Sequence, residues 1–415
     1  KVYSNFLINY IKMNYYYLTK PNMHILNSNQ PPKRGFTFSE FKIRLLKSQK
    51  VMHKHKLDVL ILTMPANIRY FSGFDTQFLQ SPTRPWFLLV PLEGEPIAVI
   101  PEIGKTVMEK TCVKNIFTWH SPKPEDDGIS LLSSVIHKLK AKYNRIGAEL
   151  GREMSLRMPL IDFNRLKTDF KLNLVDGTPA IWEMRMIKTE AEINHINYIC
   201  KVASDAYNRL PDFISEGETE KSIASKLKME IIRGGADTIP FMPVVSGENG
   251  VSQIISGPTE RTLSSGDILF IDTGSTYDGY FCDFDRNYAI GKVSDIVFKT
   301  YELLWKATQA GIKSAVPGAT TGEIWNAMNK LIENQSTIKN NVGRFGHGLG
   351  LQLTEPPSHT FNNKTKVLKN MVLTIEPGIE YLPGKIMVHE ENIFISEDGP
   401  VLLTSRAPEE IPIIT

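Results

Sequence analysis

The sequence predicts two domains of different class, an α/β domain over residues 36–180 and an α+β domain over 181–415, after an extension over 1–35 expected to be poorly ordered. Three observations predict this. At 415 residues the chain outgrows one small core, since domains commonly run to about 100–200 residues. Up to about residue 175, short apolar runs alternate with amphipathic stretches, the pattern of strands interleaved with helices. Beyond residue 181, long helical patterns come first and strand-like runs then cluster together.

The opening KVYSNFLINYIKMNYYYLTK is rich in Asn, Tyr and Lys and is broken by charges; it offers neither an apolar core nor a small-residue cleavage site, so it does not read as a secretory signal. From Phe38 to Lys54, Phe41, Ile43, Leu45, Leu46 and Met52 recur at helical spacing among lysines. LDVLILTM (57–64) is a buried-strand run, repeated in WFLLVPL, PIAVIP and RIGAEL, with the helical ISLLSSVIHKLKAKY between them. A long helix is predicted from Lys188 to Leu210, with Ile193, Ile196, Ile199, Val202 and Ala203 on one stripe, then helices over 221–234 and 297–315. Thr320 and Glu323 have capping-box spacing ahead of IWNAMNKLIE. Strands are predicted in PVVSG, ILFIDTG, GYFCDFDRNYAIG, MVLTIEPGIEY and NIFISEDG.

Hydrophobic residues make up 41% and charged residues 22% of the chain, as in an ordinary globular protein, and a net charge of +3 makes no case for nucleic acid. Before Asp58 the single acidic residue is Glu40, and this basic stretch reads as a solvated face. The three cysteines, Cys112, Cys200 and Cys282, lack CxxC spacing, so no disulfide framework is implied and a reducing cytoplasm fits. No apolar run approaches the roughly 20 residues of a membrane span.

The chemistry concentrates in the last third. Asp272 and Asp283 lie in IDTGSTYDGYFCDFDR, His347 in FGHGLGL, Glu376 in TIEPG and Glu390 in VHEEN. A turn at Asp278-Gly279 would bring the two aspartates together, and Asp283 and Asp285, two apart on a strand, share a face. Cys282 would then point away and pack. His347 stands between glycines, which lets backbone approach closely. Four carboxylates and an imidazole gathered in one place either take up protons or hold cations. Hard oxygen ligands with one nitrogen suit two divalent ions of Mn, Fe, Co or Zn, a pair that can polarise a substrate and activate water.

The order Asp, Asp, His, Glu, Glu with these flanks resembles the creatinase / aminopeptidase P / prolidase family of pita-bread metalloenzymes (peptidase M24). The resemblance runs from Phe36 to Leu403: NIRYFSGF (67–74) is similar to that family's N-terminal domain and RMIKTEAEI (185–193) to the start of its catalytic domain, followed in order by SGENG, IDTG, GHGLGL, TIEPG and HEEN. It implies a creatinase-type, ribonuclease H-like N-terminal domain, a pita-bread catalytic domain and commonly a homodimer. It also implies the ligand roles. Asp272 would bind one metal, Asp283 and Glu390 would bridge both, and His347 and Glu376 would bind the second. Glu376 would in addition take a proton from the attacking water.

The chain departs from the family pattern at two histidines. Five residues past Asn249, where the peptidases carry His, stands Ile254; where His-Glu normally follows GHGLGL, Thr354-Glu355 stands; and Val388 replaces an arginine. Ile254, Thr354 and His359 are therefore the candidate substrate-binding positions. Asp285, which occupies a small-hydroxyl position of the family, is with Glu376 a candidate catalytic residue; its alternative is a salt bridge to Arg286. His359, in PPSHT, is a candidate to line a pocket mouth, and His389, beside Glu390, is expected to face away. Three functions follow: a metal-dependent hydrolase cleaving a C–N bond in a small or dipeptide-like substrate, a metal-dependent lyase cleaving dimethylsulfoniopropionate by β-elimination, and a catalytically inactive binding module.

Overall fold

The computed structural model describes residues 30–81, 84–333 and 343–415, so most of the predicted extension lies outside the described residues. The chain divides into two compact units, Lys33–Arg185 and Met186–Thr415.

In the first unit, strands β1 (Val59–Leu62), β2 (Phe87–Pro91), β3 (Ile97–Pro101), β4 (Asn115–Trp119), β5 (Ile146–Ala148) and β6 (Leu174–Asp176) form one mixed sheet in the order β4-β3-β2-β1-β5-β6. β1, β2, β3 and β5 are buried at every position, which is why their sequences read as continuous apolar runs rather than as alternation. The helix Phe38–His55 is capped by the Thr37 hydroxyl, which accepts from the Glu40 amide, and ends at Lys56 in the left-handed region. It buries Phe41, Leu45 and Met52, and also Arg44, which donates to the Tyr70 carbonyl at 2.9 Å and stacks on the Phe36 and Tyr70 rings. Tyr70 and Phe71 of the NIRYFSGF segment are core residues.

In the second unit, the helix Glu190–Asn208 starts with a full capping box from Thr189 and Glu192, and its predicted apolar stripe is buried. One sheet is built on β9 (Asp267–Tyr277), which pairs with β7 (Thr238–Phe241), β8 (Val244–Glu248), β10 (Tyr280–Phe281) and β11 (Phe284–Ile290); β19 (Ile413–Ile414) adds to β11. The turn between β9 and β10 is Asp278-Gly279, both with positive φ (49° and 78°), the signature of a tight two-residue hairpin. A second sheet has the order β13 (Glu355–Ser358), β12 (His347–Gly348), β14 (Val372–Ile375), β17 (Glu391–Ile395), β18 (Pro400–Leu402). The MVLTIEPGIEY run is two strands: β14 ends before Glu376-Pro377, and β15 (Gly378–Leu382) leaves to pair with β16 (Lys385–Val388). Helices Asp295–Ser314 and Thr321–Glu333 back this sheet, burying Leu304, Ala307, Met328 and Ile332 with Leu373, Ile375, Ile393 and Ile395. Thr320 caps the second helix as its spacing predicts, accepting from the Glu323 amide at 3.2 Å.

Candidate metal centre

Strand pairing places the first acidic groups. Asp272 on β9 is directly opposite Asp285 on β11, so the two share a face of the sheet, and Asp283 precedes Asp285 by two residues. The other sheet supplies the rest from strand ends: His347 from β12, Glu376 just past β14 and Glu390 just before β17. Asp283, Asp285, His347 and Glu390 are buried, while Asp272 and Glu376 keep partial exposure.

Backbone ties hold the ligands. The Asp283 amide donates to Asn392 Oδ1 at 2.9 Å, and Asn392 Nδ2 returns a bond to the Asp283 carbonyl, clipping one sheet to the other. The His347 amide donates to Thr374 Oγ1 at 3.1 Å, and the Glu376 amide to the Phe345 carbonyl at 3.1 Å. Gly346 has φ +119°, and a Cβ there would lie 2.3 Å from the Thr374 carbonyl oxygen, so glycine is required for this close approach.

Ligand atoms of Asp283, His347 and Glu390 all lie within 4.8 Å of one another. His347 Nδ1 sits 2.8 Å from the Gly348 carbonyl, which can only accept, so Nδ1 carries a hydrogen and Nε2 is the ring nitrogen turned to the cluster. Nε2 lies 3.3 Å from Asp283 Oδ2. Asp272 Oδ1, Asp285 Oδ2 and Glu390 Oε1 are buried without a hydrogen-bond donor. Orphaned acceptors of this kind are costly unless something positive sits among them. The donor set therefore fits divalent cations, with oxygen ligands and one imidazole nitrogen.

Electrostatics tell the same story. Burial first, and then the neighbouring Asp283 and Glu376 charges, raise the Asp272 carboxyl well above its ordinary range. Burial raises Asp283, opposed by the Arg344 charge. Glu390 is raised by burial and by Asp283, Glu376, Asp272 and Asp285, and Asp285 by burial and Asp272. Glu376 is pushed up to about 7, mainly by burial, with His347 pulling the other way. Cations among these groups reverse the direction by favouring the charged forms.

The remaining candidates fall differently. The side chain of Asp285 turns to this cluster, its Oδ1 accepting from the Glu390 amide at 3.2 Å. The alternative ion pair to Arg286 does not form, because Arg286 pairs with Glu391 at 3.1 Å. His359 corrects the expectation of a place at a pocket mouth. It is fully buried against Gly346, its Nε2 donating to the Thr374 carbonyl at 3.0 Å and its Nδ1 without a partner, and burial together with His347 lowers its pKa to about 3. His389 turns toward Thr308, Nδ1 lying 3.1 Å from its hydroxyl. Ile254 packs on an apolar cluster of Val245, Val251, Phe270 and Val388, so it offers a greasy wall where an imidazole was the family pattern. Thr354 accepts from Arg344 Nη2 at 3.0 Å.

Sequence reasoning missed Asn392, Thr374 and Arg344. Asn392 was legible in principle, two residues past Glu390 at the start of β17. Nothing in the local pattern marks Thr374 or Arg344, whose roles depend on contacts across strands.

Comparison with known proteins bears on the same residues. The Creatinase/Prolidase N-terminal domain matches residues 44–187 and Metallopeptidase family M24 matches residues 194–397. The probable dipeptidase PepE of Mycobacterium bovis is 27% identical over 361 residues, covering 86% of this chain and 92% of that protein. The Xaa-Pro dipeptidase of Pyrococcus furiosus is 25% identical over 371 residues, covering 89% and 99%. The solved structure of a recombinant prolidase from Thermococcus sibiricus superposes with a TM-score of 0.81 at 25% identity, covering 91% of this chain and 100% of that one. Those relatives are peptidases by name, and none supports the lyase alternative. With both family models in sequence order along it and a buried Asp283, His347 and Glu390 group that could hold a metal ion in its second unit, the chain belongs to metallopeptidase family M24, the creatinase / aminopeptidase P / prolidase group of metal-dependent hydrolases.

Proposed function

We propose that this hydrolase binds two divalent cations and cleaves the amide C–N bond of a dipeptide or a dipeptide-like small molecule. The observation that carries the reading is the meeting of Asp283, His347 and Glu390 within 4.8 Å, with Asp272, Glu376 and Asp285 coupled to them electrostatically. Asp272 would serve one ion, His347 and Glu376 the other, and Asp283 and Glu390 both; Mn, Fe, Co and Zn suit this donor set. When bound, such ions polarise the scissile carbonyl and acidify the attacking water.

The chain's own residues do the rest. Glu376 and Asp285 are the carboxylates placed to move protons, since the positions of the family's two histidines hold Ile254 and Thr354. Glu376 takes the proton from water and returns it to the departing nitrogen, and Asp285 shares that work through its unengaged Oδ2. A peptide nitrogen leaves poorly without a proton, so this arrangement predicts slower turnover on Xaa-Pro substrates than an enzyme with both imidazoles. Homodimer formation and a cytoplasmic setting belong to the same reading. The latter is supported by three cysteines that are free in the structure. Among the described residues no helix is long and apolar enough to cross a membrane.

The test is release of free amino acid from a panel of Xaa-Pro and other dipeptides by protein reconstituted with each metal in turn. Cleavage that requires added metal supports the reading. No release from any dipeptide by protein shown to hold two ions overturns it.

A further inference from the structure

Thr374 on β14 and Asn392 on β17 stand directly opposite each other in the ladder, and both are fully buried. Side chains of directly opposite residues share a face of the sheet. The next partners along are Ile375 and Glu391, so Glu376 comes two residues after Thr374 and Glu390 two residues before Asn392. The period of two along a strand carries that face on to the two glutamates.

The other two ties are made by the side chains themselves. Thr374 Oγ1 accepts from the His347 amide at 3.1 Å. Asn392 grips residue 283 by both main-chain groups: Oδ1 accepts from the Asp283 amide at 2.9 Å, and Nδ2 donates to the Asp283 carbonyl. A third group fixes which end of the carboxamide is oxygen. Cys200 Sγ, on the helix Glu190–Asn208, lies 3.3 Å from Asn392 Oδ1. Burial raises this thiol well above its ordinary range, so it keeps its hydrogen and donates. Two donors converge on Oδ1, and turning the carboxamide over would set Nδ2 against both. The main chain of Asn392 is held too, its amide donating to Thr404 Oγ1 at 3.2 Å and its carbonyl accepting from the Leu403 amide at 2.9 Å. Asn392 therefore has a partner for every polar group, and its bonds to the main chain of residue 283 leave the Asp283 carboxylate to the cluster.

We infer that Thr374 and Asn392 are one positioning element of the metal centre: Glu376 and Glu390 through their own strands, and His347 and Asp283 through main-chain hydrogen bonds, take their spacing from this single cross-strand pair. The inference rests on the reading of those four side chains as ligands of divalent ions. Partners of this indirect kind typically set metal affinity by about 10- to 100-fold.

The experiment titrates cobalt(II) into full-length metal-free protein by calorimetry and records the visible absorption of the loaded protein. The proteins are wild type, Thr374→Val, Thr374→Ser, Asn392→Ala and the Thr374→Val/Asn392→Ala double variant. Thr374→Val keeps the shape of the side chain and removes the acceptor. It should weaken binding by about 10- to 100-fold and shift the cobalt absorption bands, while Thr374→Ser, which keeps the hydroxyl, binds as wild type does. Asn392→Ala should lose a similar factor. The double variant should lose about as much as the worse single variant, because groups that act as one unit are not additive. Thr374→Val and Asn392→Ala affinities within about twofold of wild type, or losses that multiply in the double variant, overturn the inference. Equal weakening by Thr374→Val and Thr374→Ser reduces Thr374 to packing and overturns it as well, a comparison that stands even where Asn392→Ala does not fold. Wild type that folds and takes up no cobalt overturns the ligand reading itself, an outcome distinct from uptake that the variants leave unchanged.

Discussion

Arg286 gives its ion pair to Glu391, Nη2 to Oε2 at 3.1 Å, and reaches its neighbour Asp285 only at the backbone carbonyl. The Asp285 carboxylate is thereby left to the cluster, with Oδ1 on the Glu390 amide and Oδ2 without a donor. Asp285→Asn keeps the shape and removes the charge. It should retain bound metal and lower kcat by roughly 10²-fold, the scale of a lost proton-transfer group. Metal content by mass spectrometry and steady-state rates decide the point; an unchanged kcat returns Asp285 to a purely structural role.

Asp283 is the residue shared by the tight Asp283–His347–Glu390 group and the Asn392 clip. Asp283→Ala should strip metal and abolish hydrolysis while the fold survives, because the Asn392 bonds run to the backbone of residue 283 rather than to its side chain. Full activity with wild-type metal content would contradict the assigned ligand set.

Glu391 is fully buried and receives Arg286, Arg406 at 3.0 Å, the Thr404 hydroxyl and the Ala407 amide at 2.9 Å. Glu391→Ala removes the carboxylate that pairs the buried Arg286 and the partly buried Arg406, and breaking a buried pair costs about 3–5 kcal/mol. Urea unfolding of the metal-free protein should show a loss of that size; a loss below about 1 kcal/mol would mean that water or a shifted partner replaces the carboxylate.

Metal-free protein should be least stable at high pH. Glu376 is raised from 4.5 to about 7, and Asp272, Asp283 and Glu390 are raised as well. A carboxyl whose folded pKa exceeds its unfolded value makes the folded state the better proton binder. Its stabilising effect is complete below about 4.5 and is lost as pH rises through about 7. Tm of the metal-free protein should therefore fall between about pH 5 and pH 8, and an added divalent cation should raise Tm more at the upper end, by several degrees. A metal-induced shift that does not grow with pH would contradict the carboxylate cluster as the binding site.

Much of this was legible in the chain itself. The apolar runs of β1 and β2, the capping box at Thr320 and the Asp278-Gly279 turn are local signals, set by period, propensity and the φ that a residue tolerates. The five ligand candidates were legible from the order of their flanking motifs, and beside His347 the flanking Gly346 is one that local geometry demands.

What only the tertiary structure decided was partnership. Adjacency in sequence suggested Asp285 with Arg286, but the guanidinium reached across to Glu391 on the other sheet, where the carboxylate is fully enclosed. His359 was a candidate for a pocket mouth, yet it lies in the core beside Gly346, bonded to the Thr374 carbonyl. Arg344 meets Thr354 and Ser358 only through the fold, Ser358 being set opposite His347 by strand register. The sequence by itself determined which elements form and which side chains carry the chemistry, because period, caps and turns act over a few residues. Which charged group meets which depends on strand register and sheet-to-sheet contact, and those join residues as far apart as Asp283 and Asn392.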